Sequence, residues 1–204
     1  MKLPKILQFL AVFTLMGLAG PAPDSALADA PQATVQQLIQ SIQKMHHKKP
    51  LTAEQRQANE KISRKAAAYM NVRQVSEKTL GKHWKQRSKE EQDRFVQILG
   101  DLFRYVAFPN SSKFFGAMDL SYAPTRMAGK QAKVLLTVLH SDEGEVGLEF
   151  VLEQDSRRWK VVDVVLDGVS MRNNLRTQFY KVLKQHDYSE LLRRLEKKLS
   201  DTQK

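Results

Sequence analysis

Few side chains in this sequence are of a type and spacing that could do chemistry. Asp163 is one. It is a lone carboxylate inside the run Trp159-Lys-Val-Val-Asp-Val-Val-Leu166. An acid among valines can be a buried general acid or base with a shifted pKa. It can equally be a structural acid, paired with an arginine or turned to the wetter face of its sheet. The structural reading is the stronger, because no histidine or second carboxylate accompanies it on the same strand. The histidines offer less. His46 and His47 are adjacent, so on a helix they point about 100° apart and do not chelate one metal together. Lys44, Lys48 and Lys49 beside them disfavour a cation further. His83, His140 and His186 stand alone near turns or element ends, and none has a carboxylate placed as a metal partner. The sequence has no G-x-S-x-G, no phosphate-cradling glycine loop and no H-E-x-x-H. It has no cysteine, which removes thiol chemistry, disulfides and lipid attachment at an N-terminal cysteine. No enzyme is indicated, and neither a cofactor nor a metal is expected.

What stands out instead is apolar. Phe95, Phe103, Phe108, Phe114, Phe115, Phe150 and Phe179 are large, and the strand Trp159–Leu166 carries apolar groups on both faces. A strand apolar on both sides has to be covered on both. The inventory suits a well-filled core, or an apolar pocket between a sheet and helices.

The elements that position these residues can be read from periodicity. Val35, Leu38, Ile39, Ile42 and Met45 recur at helical spacing over 31–46. Thr52 caps a second helix to about Met70, with Ala58, Ile62, Ala66 and Tyr69 inward. Asn71 opens a short helix that ends at Gly81. Ser88-Lys-Glu-Glu91 is a capping box, opening the helix of Phe95, Ile98, Leu99, Leu102, Phe103 and Val106, with an interruption expected at Pro109-Asn110. From Leu120 the period becomes two. A strand is expected over Leu120–Arg126. Strands follow with Ala132, Val134, Leu136 and Val138, and then Val146, Leu148, Phe150 and Leu152, on one face, with turns at Ser141–Gly144 and Asp155–Arg158. Such short links imply an antiparallel meander. After Asp167-Gly168 come two helices separated at His186-Asp187. The fold class is therefore α+β: a curved antiparallel meander packed against several helices.

The chain starts like an exported one. Lys2 and Lys5 precede the apolar run Ile6–Leu18, and Ala26-Leu27-Ala28 is an A-x-A cleavage site. Residues 1–28 read as a cleaved signal peptide and 29–204 as a single domain. A net charge of +11 behind an export signal points to anionic lipid head groups or acidic proteins, not nucleic acid. The basic faces Arg56, Lys61, Arg64, Lys65 and Arg193, Arg194, Lys197, Lys198 are either solvated or docking patches that high salt would weaken.

Three stretches carry a family resemblance. Trp159-Lys-Val-Val-Asp-Val, Asp167-Gly-Val-Ser-Met171 and Asn174-Leu-Arg with Phe179 form the first. Leu80-Gly-Lys-His-Trp84 followed by Ser88-Lys-Glu-Glu-Gln and Phe95 form the second. Ser189-Glu-Leu-Leu, Leu195 and Lys198-Leu199 form the third. Taken in chain order they resemble the MlaC / toluene-tolerance family of periplasmic phospholipid-binding ABC transporter auxiliary proteins. Leu175-Arg176 stands where that family often has Tyr-Arg, and His186-Asp187-Tyr188 where it often has a glycine.

The resemblance implies a monomeric periplasmic carrier whose cargo is a phospholipid. It implies partners at both membranes: an outer-membrane lipoprotein–porin complex, and an inner-membrane ABC transporter with its substrate-binding ring. On this reading the acyl chains are lined by Val134, Leu136, Val138, Leu148, Phe150 and Leu152 of the meander and by Leu102, Phe103, Val106 and Phe179 of the helices. Val169 and Met171 stand at the rim, and the chains help cover one face of the strand that holds Asp163. A hopanoid carrier is an alternative, as is an exported hydrolase using Asp163 or an adaptor that binds only protein.

Overall fold

The structure is a computed structural model that describes residues 30–48, 50–115, 120–140 and 144–203. The expected signal peptide and its cleavage site, Gly116 and most of the turn at 141–144 lie outside the described residues.

Local chemistry accounts for the helix boundaries. Helix α1, Pro31–Gln43, starts on a proline, whose missing N–H costs nothing in a first turn. Helix α2, Ala53–Ala67, is opened by a capping box between Thr52 and Gln55. In α3, Val72–Leu80, the Asn71 side chain accepts from the Gln74 N–H, and Gly81 ends the helix with φ +51°. A 3₁₀ segment, Gly81–Gln86, buries Trp84. The Ser88–Glu91 capping box then opens α4, Lys89–Leu102.

The expected interruption at Pro109 does not break the chain's helical path. A π-helical turn, Phe103–Ala107, leads directly into α5, Phe108–Phe115. The Phe108 N–H reaches back to the Phe103 carbonyl, five residues away. That wider turn accommodates a proline that would clash with the carbonyl four residues earlier in a regular α-helix.

Among the described residues six strands form one antiparallel sheet. They are β1 Leu120–Tyr122, β2 Arg126–Ala128, β3 Gln131–His140, β4 Gly144–Asp155, β5 Arg158–Leu166 and β6 Val169–Ser170. Their order is β1-β3-β4-β5-β6, and β2 also pairs with β3. The strand expected over Leu120–Arg126 is in fact two short ones. Pro124 lies in the gap and cannot donate to a ladder. The β4–β5 hairpin turns on Ser156 and Arg157, both with positive φ (+47° and +76°), as a tight two-residue hairpin requires. Helices α6, Met171–Gln185, and α7, Tyr188–Gln203, close the chain on either side of His186-Asp187.

Two apolar clusters result. The first joins the inner sheet face to α1 and to Phe108 and Phe115 of α5. The second lies among helices and gathers Val75, Leu80, Trp84, Phe95, Ile98, Leu99, Phe179, Tyr188, Leu191 and Leu192. Phe103 packs against both.

Candidate functional site

The inner face of the sheet is a continuous apolar surface within the first cluster. Strand pairing sets its side chains in cross-strand rows. One row runs Tyr122, Leu136, Leu148, Leu166, Val169, and the next is Val134, Phe150, Val164. A third is Ala132, Leu152, Val161. The expected lining residues Val134, Leu136, Val138, Leu148, Phe150 and Leu152 do share this face, and none exceeds 6% exposure. Protein covers them: Val35, Leu38, Ile39 and Ile42 of α1 and the two phenylalanines of α5 lie in the same cluster.

The other expected residues divide. Phe103, in the π turn, packs against this cluster and stacks on Phe108 with ring centroids 6.3 Å apart. Val106 of the same turn and Met171 at the start of α6 are half-buried. Leu102 packs on the second cluster. Phe179 does not join the sheet face. It is buried in the second cluster, edge-on to Phe95 at 5.7 Å, because α6 turns that side toward α4. Val169 continues an inner row to the short edge strand β6 and is 53% exposed. The α1 stripe, Trp159, Val164 and Leu166 were missing from the expected lining, although α1's periodicity marked it as facing something apolar.

Around Asp163, where acyl chains are expected to help cover one face of the strand, protein packs on both faces. A bulge between Val151 and Leu152 of β4 and the facing residues of β5 adds one residue, Val162, to β5. Val161 and Val162 are both fully buried, while α1 packs on β5 and α3 and α6 also pack against it.

Asp163 is committed to structure. Ser170 Oγ donates to its Oδ2 at 2.6 Å, and the Arg172 backbone N–H donates to Oδ1 at 3.0 Å. The Arg172 guanidinium lies 3.5 Å away. The carboxylate thus ties β5 to the N-terminus of α6, where a negative charge is favoured. Asp163 is the one carboxylate among the buried residues described.

A second polar group holds the π turn. Glu60 of α2 accepts from the Tyr105 hydroxyl at 2.8 Å and pairs with Arg104 and, at 2.7 Å, Arg64. Burial opposes ionisation of Glu60, but these partners outweigh it and hold its carboxyl below the usual range. Burial and the same hydrogen bond push the Tyr105 hydroxyl up.

The basic faces are partly neutralised. Arg193 and Arg194 both pair with Glu190, and Lys197 pairs with Asp201. Among the described residues no group of three or more His, Cys, Asp or Glu could hold a metal ion, and no helix is long and apolar enough to cross a membrane.

An open antiparallel sheet, apolar on its inner side and roofed by helices, with its buried acid spent on a helix cap, defines an α+β domain organised around one sheet face. The chain belongs to the MlaC family: the family model described as MlaC protein matches residues 32–197. Among solved structures, a phospholipid-binding protein from Ralstonia solanacearum, in complex with a phospholipid, shares the fold. Its TM-score is 0.68 at 16% identity, covering 85% of this chain and 96% of that one. No curated protein matches.

Proposed function

We propose that this protein is a periplasmic phospholipid carrier, exported by a cleaved signal peptide, that holds acyl chains against the inner face of its sheet. It shuttles lipid, as a monomer, between an outer-membrane lipoprotein–porin complex and an inner-membrane ABC transporter with its substrate-binding ring, and so maintains outer-membrane lipid asymmetry. The observation that carries this reading is the unbroken apolar inner face, in a chain of the MlaC family. The phospholipid held by the structurally similar Ralstonia protein supports the choice of cargo.

The energetics fit a carrier. At about 0.8 kcal/mol per CH₂, two chains of roughly 16 carbons cost on the order of 25 kcal/mol to bring bare into water. Here α1 and the α5 phenylalanines occupy the face that the chains would take. Loading therefore exchanges protein–protein for protein–lipid apolar contact. Such an exchange is nearly neutral in buried area when lipid enters as the helices part, and costly when they part first. Docking to a membrane complex, which delivers lipid at the moment of opening, follows from that asymmetry.

The test is gentle purification of residues 29–204, organic extraction and mass spectrometry. Stoichiometric diacyl lipid is the expected result, and a hopanoid mass would move the cargo to that class. Protein that is lipid-free and takes nothing from phospholipid vesicles refutes the proposal. Leu136→Asp or Phe150→Asp should abolish lipid content; a folded variant with full lipid content places the chains elsewhere.

A further inference from the structure

The helical part of the molecule carries a cleft that the sheet face does not use. It opens at the elbow between α6 and α7, holds about 250 Å³, and is lined by His83, Arg87, Leu183, His186, Asp187 and Tyr188. These residues come from the 3₁₀ segment, the start of the α4 cap, and the two closing helices with their link.

The charges around it are unevenly committed. Two carboxylates at or beside it, Asp187 and Glu91, cap helices. Asp187 accepts from the Glu190 N–H at 2.9 Å and the Ser189 hydroxyl at 2.7 Å. Glu91 accepts from the Ser88 N–H at 2.8 Å and meets Arg87 only at 3.5 Å. The cations are not spent in this way. Arg87 lies over the Tyr188 ring at 4.8 Å, and its Nε is buried without a hydrogen-bond partner among the described residues. A buried donor left open is costly, so Arg87 holds hydrogen-bonding capacity that the fold itself does not use. His83 packs edge-on to Tyr180 at 5.1 Å, with Lys82 and Arg176 beside the same ring at 6.0 and 5.1 Å. Burial alone would raise the Tyr180 hydroxyl. The Lys82 backbone N–H and Arg176 outweigh it and hold the phenol below its usual range, as a locally positive field does.

We propose that this cleft binds a phosphate group, free or as the ester of a small head group. Its lining brings N–H donor groups from three segments of the chain: the Arg87 guanidinium and the rings of His83 and His186. That arrangement matches a tetrahedral oxyanion better than a planar carboxylate. Leu183 and the Tyr188 ring leave an apolar wall for the carbon atoms of an ester. The proposal does not depend on the carrier reading, because the cleft is lined by helical elements and their links alone.

The test follows the side-chain resonances of His83, His186 and Arg87 in residues 29–204 by NMR, titrated separately with inorganic phosphate, with glycerophosphoglycerol, and with sodium chloride at matched ionic strength. Saturable shifts with phosphate and none with chloride are expected. Arg87→Gln should weaken the affinity by about tenfold, the loss of one charge-assisted hydrogen bond. Because Arg87 also packs on Tyr188, the double variant His83→Gln/His186→Gln supplies a second arm and should weaken binding as well. Equal or tighter binding of glycerophosphoglycerol identifies a lipid head group as the source; binding of inorganic phosphate alone identifies the free ion. Shifts that chloride reproduces, no saturable shift with either phosphate compound, or full affinity in a folded double histidine variant overturns the site.

Discussion

Replacing Asp163 by alanine separates a structural acid from a catalytic one. The wild-type carboxylate is 4% exposed and accepts two short hydrogen bonds, from Ser170 Oγ and the Arg172 N–H. Hydrogen bonds to a charged group contribute about 1.5–3 kcal/mol each. Removing the carboxylate also ends the cost of burying it, and Arg172, 24% exposed, can rehydrate. The net loss should be about 2–4 kcal/mol, at the severe end for one substitution. Asp163→Asn should cost less, about 1–2 kcal/mol. Its amide oxygen can still accept from the Arg172 N–H, but its NH₂ faces a Ser170 oxygen that already accepts from Asn173 at 3.0 Å. Urea unfolding followed by far-ultraviolet circular dichroism reads both, with an unchanged m-value confirming an unchanged fold. A buried acid kept for catalysis is held at a cost in stability, so its removal tends to stabilise. A variant within about 0.5 kcal/mol of wild type, or a more stable one, refutes the structural role.

Other expectations follow from packing, turn and charge. Phe150→Ala, at a position 3% exposed in the first cluster, should lower stability by about 3–5 kcal/mol in the same urea assay. Arg157→Gly should raise the melting temperature, because φ +76° is strained for arginine and free for glycine; the gain should be about 0.5–1 kcal/mol, offset in part by glycine's greater unfolded-state entropy. Hydrogen bonds from Arg193 and Arg194 lower the Glu190 pKa from 4.5 to about 2. A depressed carboxylate contributes stability above its unfolded value and loses it as pH falls through its folded one. Glu190→Gln should therefore flatten the acid limb of a melting-temperature series between pH about 4.5 and about 2; an identical limb would show that this exposed cluster leaves stability unaffected.

The sequence disclosed whatever short-range chemistry controls. The Thr52, Asn71 and Ser88 caps, the end at Gly81 and the alternation of β3 and β4 all lie where turn chemistry and period place them. The six meander residues share one face because period two leaves no other arrangement. Less legible was anything set by one extra residue. The bulge at Val162 makes β5 look apolar on both sides, and no pattern in a valine run reveals where parity changes. Pro109 read as a break because its usual effect is one, and the π turn that absorbs it leaves no local signature. Phe179 is expected on the sheet side because helical spacing gives α6 an apolar stripe without saying which neighbour it meets.

The π turn has a consequence for chain length. In an unbroken α-helix, the nine steps from Leu99 to Phe108 would place these residues about 180° apart around the axis. The wider turn takes up one step, so they stand much nearer, and one rod presents Leu99 to the second cluster and Phe108 to the first while the clusters sit side by side. The segment thus carries one residue of slack. Shortening it by a residue keeps Leu99 and Phe108 in phase and closes the ladder to regular α spacing, but returns Pro109 to a helix interior, at about 3 kcal/mol. The deletion should therefore be tolerated once Pro109 is alanine, so that the surplus residue and the proline are a matched pair in which each makes the other permissible.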